Sequence, residues 1–137
     1  MSFDLFLHCV DTGEPSGIPR AKLRSLFPII EEESDPDYWS VRYDSSNSCN
    51  VGVGALPSNN EILSHIFVHR PCGDRRLWEA LLQVLGLAPF VLYFPGGPPI
   101  VAQAEVGAAL PEDMVASIGQ PRCVQSVAEI LKILSES

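Results

Sequence analysis

Basic residues are scarce in this sequence of 137 residues. It contains nine lysines and arginines, only two of them lysines, against seventeen aspartates and glutamates, which gives a formal net charge of −8. Proteins that bind DNA, RNA or an anionic membrane surface hold the phosphates with clustered Lys and Arg side chains. The composition therefore argues against a nucleic-acid-binding or membrane-binding protein.

Long hydrophobic runs and closely spaced cysteines are also missing. The longest apolar stretch, residues 85–94, is interrupted by Gly86 and Pro89 and is too short to cross a bilayer. Residues 1–10 lack a basic n-region, and Asp4 and His8 interrupt their apolar character, so no signal peptide is predicted. We expect a cytoplasmic protein with free thiols, because no C-x-x-C pair occurs. The cysteines are Cys9, Cys49, Cys72 and Cys123.

The rest of the composition is that of one folded domain. Hydrophobic residues make up 46% of the chain and charged residues 19%, which provides enough apolar material for a core. Residues 1–137 are predicted to form a single α+β domain with elements in the order β-α-β-β-β-α-β-α-β-α. We expect a mixed or antiparallel sheet with an internal β-meander and about four helices. Strands are predicted at 3–10, 38–43, 50–55, 62–70, 90–94 and 122–125, and helices begin near Pro19, Leu77, Pro111 and Ser126, the second ending at Gly86.

Two of these strands carry predictions about burial. Residues 90–94 are apolar without interruption between two prolines, which favours a strand buried on both faces. In residues 62–70, strict alternation predicts one face with Ile62, Ile66 and Val68. The opposite face then carries the intervening side chains, Leu63, His65, Phe67 and His69.

Candidates for metal binding or catalysis are few. His65 and His69 are four residues apart, but on a strand this spacing separates the two side chains by roughly 13 Å, too far for one metal ion. Cys72 lies between His69 and Asp74, an arrangement that permits a reactive thiol, although Asp74 is also typical of the first residue of a helix. We expect neither a metal nor a cofactor.

The Pro95-Gly96-Gly97 turn follows the most apolar strand, a position at which α/β proteins often bind ligands. Its two glycines can offer backbone N–H groups to an anion, whereas the two prolines that follow cannot donate. An alternative function is therefore a small enzyme or ligand-binding protein that uses this turn together with Cys72 and His69. Tight packing of a glycine turn explains the same residues without a ligand.

An acidic segment beside aromatic residues is the most distinctive feature. Residues 31–37 contain five of the seventeen acids, and residues 1–68 hold ten acids and four bases, so the negative charge is concentrated in the first half. Such a segment is often only a solvated loop. Acids next to aromatics also favour a surface that docks on a basic protein, because charge steers the encounter and buried aromatics hold the complex. The predicted partner-binding residues are Glu31, Glu32, Glu33, Asp35, Asp37, Tyr38, Trp39 and Asp44.

Six groups of residues, spread over almost the whole chain, together form a familiar pattern. They are Met1-Ser2-Phe3-Asp4-Leu5-Phe6 with Gly13-Glu14-Pro15 and Pro19, Asp37-Tyr38-Trp39, Val68-His69-Arg70-Pro71, Leu77-Trp78-Glu79-Ala80-Leu81, Phe94-Pro95-Gly96-Gly97 and Leu110-Pro111-Glu112-Asp113-Met114. The pattern resembles a family of small stand-alone bacterial proteins. Some of these are similar to immunity proteins of secreted antibacterial toxins, including type VI secretion effectors. The resemblance implies a cytoplasmic protein that neutralises a toxin domain, and it brings no catalytic residues.

The resemblance and the charge lead to one expectation. The chain is expected to be a non-enzymatic inhibitor that binds a cognate toxin domain through its acidic face. Nucleases have basic substrate clefts, so a nuclease domain fits an inhibitor of net charge −8 best.

Overall fold

The structure, a computed structural model, describes residues 3–10, 16–30 and 36–136. Within these residues the chain forms eight strands and five helices. The strands are β1 (Leu5–Cys9), β2 (Ile18–Pro19), β3 (Tyr38–Asp44), β4 (Asn47–Leu56), β5 (Asn59–His69), β6 (Phe90–Tyr93), β7 (Ile100–Val101) and β8 (Arg122–Cys123). The helices are α1 (Arg20–Ser25), α2 (Arg75–Leu87), α3 (Ala104–Ala108), α4 (Glu112–Ile118) and α5 (Val127–Ser135).

All the described strands belong to one sheet, in the order β3-β4-β5-β1-β6-β7-β8, with β2 paired to β5. Every pair is antiparallel except β7 with β8, and β3, β4 and β5 form a meander. The predicted α+β domain with a mixed sheet and a meander is confirmed. Helix α3 and the two-residue strands β2 and β7 were not predicted, because such short elements show no hydrophobic period.

Strand β6 is buried on both of its faces, as its apolar sequence predicts. Phe90 and Leu92 belong to the main hydrophobic cluster, together with buried side chains from α1, α2 and α5. Val91 points to the opposite face and belongs to a second cluster. That cluster contains Val10, Val91, Val101, Val106 and Leu110, the last two from α3 and the residues just after it. The sheet is therefore covered by helices along one face and, on the other face, only at its β6–β7 end among the described residues.

A β-bulge at Ser64 changes which side chains of β5 point toward the core. Gly54 pairs with His65 and the next residue, Ala55, pairs with Leu63, so Ser64 is an extra residue on β5. Leu63 is consequently buried in the main cluster with Ile66 and Val68. The prediction that Leu63 shares a face with His65 is wrong, because strict alternation does not survive an inserted residue.

The helix boundaries follow local sequence signals, with one exception. Asp74 begins α2 by accepting a hydrogen bond from the backbone N–H of Arg76 at 2.9 Å, and Ser126 caps α5 in the same way through Glu129. Helix α2 continues through Gly86 to Leu87 instead of ending at the glycine. The buried face of α2 outweighs the unfavourable helix propensity of one exposed glycine, which is about 1 kcal/mol.

The outer edge of β3 is covered by the chain that follows α1. Ile29 forms a bridge with Val41, the Ile30 N–H donates to the Ser40 carbonyl at 3.1 Å, and the Arg42 N–H donates to the Pro28 carbonyl at 3.2 Å. These bonds satisfy backbone groups of an edge strand that would otherwise face solvent.

In the three described stretches of chain, the helices lack the combination of length and apolar character that a bilayer crossing requires. The longest of these described helices, α2, covers 13 residues, whereas a bilayer crossing needs about 20.

Two glycine substitutions test the packing in opposite directions. A Cβ added at Gly17 would lie 2.2 Å from the Leu63 carbonyl oxygen, whereas a Cβ at Gly86 meets no atom within 4 Å. Gly17→Ala should lower the free energy of unfolding by about 2 kcal/mol or more, because the clash is with backbone. Gly86→Ala should raise it by about 0.5–1 kcal/mol. Urea denaturation of both variants measures these changes, and a stable Gly17→Ala variant would contradict the β2–β5 contact.

Candidate functional site

Aromatic side chains form a row across the uncovered face of the sheet. Tyr38 on β3 lies opposite Gly52 on β4, which lies opposite Phe67 on β5. Phe67 in turn pairs with Phe6 on β1, and Phe6 pairs with Tyr93 on β6. The four aromatic residues Tyr38, Phe67, Phe6 and Tyr93, with Gly52 among them, are called here the aromatic row. Five strands of a single sheet thus contribute to one transverse line of side chains.

The rings of the aromatic row form two contacting pairs. Phe6 and Tyr93 are stacked, with ring centroids 5.6 Å apart and an angle of 19° between the planes. Tyr38 and Phe67 have centroids 6.3 Å apart, although a whole strand separates them. Gly52 makes this approach possible, since a Cβ at that position would lie 1.9 Å from the Phe67 Cζ atom. The far end of the Phe67 ring therefore occupies the space that a Cβ at position 52 would take.

The aromatic row is partly accessible to solvent. Phe67 keeps 37% of its surface exposed and is one of the few large apolar residues in the described chain to do so. Phe6, Tyr38 and Tyr93 are half-buried, and Tyr93 also packs against the second cluster. Aromatic rings that are rigid and half-exposed supply large contact areas at low cost in conformational entropy, as protein interfaces require.

The sequence predictions captured only one end of this surface. Tyr38 was predicted as a partner-binding residue, whereas Phe6, Phe67 and Tyr93 were not. The available signal was that Phe67 alternates with core residues on β5 and so points away from the core. The pairing that places these residues in one row is a long-range property of the sheet, which alternation along one strand does not reveal.

Four of the predicted acidic contacts, Glu31, Glu32, Glu33 and Asp35, lie outside the described residues. The described residues on either side, Ile30 and Pro36, are held against β3 and its neighbourhood. The Ile30 N–H bonds to Ser40, and the Pro36 carbonyl accepts hydrogen bonds from Arg20 at 3.0 Å and from Trp39 at 2.8 Å. The two described residues that flank the acidic segment are therefore held beside the Tyr38 end of the aromatic row.

Trp39 must be removed from the predicted docking surface. Its side chain is only 1% exposed and belongs to the main hydrophobic cluster. Its Nε1 donates to the Pro36 carbonyl, and the Arg24 guanidinium lies 5.2 Å from its ring centroid. Adjacent residues of a strand point to opposite faces, so Tyr38 and Trp39 cannot both face a partner.

Asp37 and Asp44 are both exposed, and each has a local structural partner. Asp37 accepts a hydrogen bond from Arg20 at 2.9 Å. Asp44 accepts from the Ser46 N–H at 2.8 Å and from the Asn47 amide at 3.0 Å, which stabilises the turn between β3 and β4. The side-chain bond from Asn47, followed by that from Ser46, lowers the pKa of Asp44. These two carboxylates shape the local backbone, and they offer less free charge to a partner than the sequence suggests.

Histidines lie beside the aromatic row on the same face. His8 pairs with His65 across β1 and β5, and their ring centroids are 4.3 Å apart. The His65 Nδ1 is 2.9 Å from the Ser64 Oγ, so the bulged residue also orients this ring. His69, which the sequence offered as a partner for Cys72, instead lies 3.1 Å from an Asp4 carboxylate oxygen. A search of the described chain finds no group of three or more His, Cys, Asp and Glu side chains that could hold a metal ion.

Two thiols and a phenol, those of Cys49, Cys72 and Tyr43, lie close together at the other end of the meander. Cys49 is buried on β4 and lies near Cys72, which is in the connection to α2. Burial, and then the neighbouring Cys72, raise the pKa of the Cys49 thiol to about 12. The Tyr43 hydroxyl is buried without a hydrogen-bond partner among the described residues, and burial with the two nearby thiols raises its pKa. The Arg76 guanidinium lies 5.1 Å from the Tyr43 ring centroid.

The glycine turn of the alternative function lines a groove that does not include the two residues proposed to act with it. Gly96 has a φ of +86°, and a Cβ at Gly97 would lie 2.0 Å from the Phe94 ring. The adjoining groove, of about 370 Å³, is lined by Gly96, Gly97, Pro98, Ser117 and Ile118. Neither Cys72 nor His69 lines it. Gly97 packs against the Phe94 ring, and Gly96 provides the positive φ of the turn.

Comparison of the chain with protein-family models, with curated proteins and with solved structures found no match. The arguments about function therefore depend on the residues and contacts described above.

The histidine pair predicts how stability depends on pH. Burial, and then the charge of His65, lower the pKa of His8 below its ordinary value of 6.5. The unfolded chain then binds a proton that the folded chain resists, so stability should fall as the pH decreases from about 7 to 5. Urea midpoints measured across this interval should decline less for His8→Gln than for the wild type. His69→Gln, which leaves the pair intact, should retain the decline, and equal slopes for wild type and His8→Gln would contradict the assignment.

Proposed function

We propose that this chain is a non-enzymatic inhibitor that binds and neutralises a cationic toxin domain. The observation that carries the proposal is the aromatic row, because it places four rings on one rigid and accessible sheet face. Clusters of aromatic residues of this kind supply most of the binding energy in many protein interfaces. In the proposed complex, Phe67 is the central anchor, flanked by Tyr38 on one side and Phe6 on the other.

Charge supports a cationic partner. Residues 11–15 and 31–35 contain six of the seventeen acids and no basic residue. Ile30 and Pro36, the described residues on either side of the second segment, are held by hydrogen bonds near the Tyr38 end of the aromatic row. We infer that Glu31, Glu32, Glu33 and Asp35 attract the partner over distances of about a Debye length, roughly 8–10 Å at physiological salt. The aromatic row then holds the partner after contact, so charge and aromatic area act on different steps of association.

The non-enzymatic part of the proposal follows from how the candidate catalytic groups are used. His69 contacts Asp4, Cys72 contacts the buried Cys49, and Asp74 caps a helix and binds Arg76. Each group thus has a structural partner in place of a catalytic one. A rigid binding face, with these candidate groups of the described residues engaged in structural contacts, supports an immunity protein of a secreted antibacterial toxin. We propose the cytoplasm as its site of action and a nuclease domain as the target, for the reason of charge given above.

A capture experiment tests the aromatic row. Tagged wild-type protein is incubated with lysate of the source bacterium, and bound proteins are identified by mass spectrometry. Phe67→Ser should abolish recovery of a basic protein domain that the wild type retains, because loss of a central aromatic anchor costs about 2 kcal/mol or more in binding, roughly a thirtyfold weakening. The matched control is Leu131→Ser, since Leu131 on α5 is equally exposed at 38% but lies outside the row.

The captured domain must also be inactivated by the wild-type protein, as measured by survival of cells that produce the domain with and without the inhibitor. Equal recovery by the Phe67→Ser and Leu131→Ser variants would remove the aromatic row from the interface. Recovery of a domain whose toxicity is unaffected would contradict the inhibitor function but leave a binding surface.

A kinetic experiment on the captured domain tests the acidic segment. The triple change Glu31→Lys, Glu32→Lys and Glu33→Lys should lower the association rate by about tenfold at low salt and reduce its salt dependence, with a smaller effect on dissociation. The control changes net charge equally at α3 and α4, with Glu105→Lys, Glu112→Lys and Asp113→Lys. Surface plasmon resonance at several salt concentrations measures both rates. Identical association rates for the two triple variants would show that net charge, and not the acidic segment, steers the partner.

A further inference from the structure

Cys49 and Cys72 are brought together by the register of the meander. Asn50 pairs with His69, so Cys49, one residue before Asn50, lies next to the chain that leaves β5. That chain turns at Arg70, the one described non-glycine residue with a positive φ, of 52°, and reaches Cys72 two residues later. The two cysteines are 23 positions apart in sequence, and in the structure Cys72 lies near enough to the Cys49 thiol to raise its pKa.

The position of Cys72 is fixed from the helix side as well. Its carbonyl oxygen accepts a hydrogen bond from the Trp78 Nε1 at 3.2 Å, and Trp78 is buried in the main cluster. Cys72 itself packs against that cluster while keeping part of its surface exposed. Cys49 is buried at 6% exposure. One thiol of the pair is therefore partly accessible, the other is protected, and both are held in fixed positions.

We propose that Cys49 and Cys72 form a site of reversible oxidation, in which a hydroperoxide converts the two thiols into an intramolecular disulfide. This inference is independent of the toxin-binding function, since neither cysteine belongs to the aromatic row or to the acidic segment. The other two cysteines are not part of the site. Cys9 lies on β1 with its sulfur 3.3 Å from the Ser16 hydroxyl, and Cys123 lies on the distant strand β8.

The order of the chemical steps follows from accessibility. Burial raises the pKa of the Cys49 thiol to about 12 and shields it from solvent, so the partly exposed Cys72 sulfur reacts first. The Cys72 sulfur attacks the peroxide, an S–O bond forms and the O–O bond breaks, and the released alkoxide takes a proton to leave as the alcohol, or as water from hydrogen peroxide. The product at Cys72 is a sulfenic acid.

Cys49 then resolves the sulfenic acid. Its sulfur attacks the Cys72 sulfur, an S–S bond forms and the S–O bond breaks, and the departing hydroxide takes the Cys49 proton to leave as water. In total, two thiols lose two electrons and two hydrogens, and one peroxide accepts them. A small-molecule thiol reverses the change by exchange. The disulfide would connect β4 to the residues between β5 and α2.

The test uses the full chain with Cys9→Ser and Cys123→Ser, so that Cys49 and Cys72 are the remaining thiols. After treatment with hydrogen peroxide, mass spectrometry should show the loss of two hydrogens, and non-reduced peptide mapping should find one Cys49–Cys72 linked peptide pair. The urea midpoint should increase after oxidation and return to its starting value with dithiothreitol, because a cross-link restricts the unfolded chain.

Two further variants exclude trivial outcomes. In the same background, Cys72→Ser leaves Cys49 as the remaining thiol and should show neither the mass loss nor the stability increase, while Cys49→Ala should stop at the Cys72 sulfenic acid, trapped with dimedone. If Cys49→Ala does not fold, the Cys72→Ser variant and the peptide map still decide the question. Intermolecular dimers through Cys72, or oxidation of Cys72 to sulfinic acid in the presence of Cys49, would overturn the proposal. Failure of the toxin-capture experiment has no bearing on this result.

Discussion

The burial of strand β6 on both of its faces organises the whole domain. Phe90 and Leu92 pack with α2 and α5, while Val91 packs with the cluster formed by α3 and the residues that follow it. Because the second cluster reaches only the β6–β7 end of its face, the same face of β1, β5, β4 and β3 carries half-exposed aromatic and histidine side chains. The accessible row from Tyr38 to Tyr93 is thus a consequence of where the second cluster stops. A helix extended over that face would bury the row and leave no surface for a partner.

Much of the fold was predictable from local patterns, and the candidate site was not. Alternation identified the strands, uninterrupted apolar residues identified β6, and Asp74 and Ser126 identified two helix starts. The Ser64 bulge has no local signature, and it moved Leu63 into the core. Trp39 shows how the site prediction failed, since the acidic neighbours suggested exposure while its alternation with Val41 already indicated the core. The aromatic row depends on the register of four strand pairs, which no single segment of sequence encodes.

Arg20 holds the residues that follow the acidic segment against the sheet. Its guanidinium donates to the Asn60 and Pro36 carbonyls and to the Asp37 carboxylate, and its side chain is only 16% exposed. One cation at the start of α1 therefore joins the approach to β3, the beginning of β5 and its own helix. Multiple hydrogen bonds from a partly buried guanidinium are among the stronger polar contacts in proteins. The four acids of residues 31–35 immediately precede Pro36 in the sequence.

The backbone hydrogen bonds that join Pro28 and Ile30 to β3 have a consequence for crowded solutions. An unprotected edge strand invites a second chain to add itself as the next strand, which is the first step toward fibrous aggregates. Here the backbone of the chain itself occupies that position at Val41 and its neighbours. Many copies can therefore accumulate without polymerising through β3. Any binding at the part of β3 that these residues cover is directed to side chains instead of backbone.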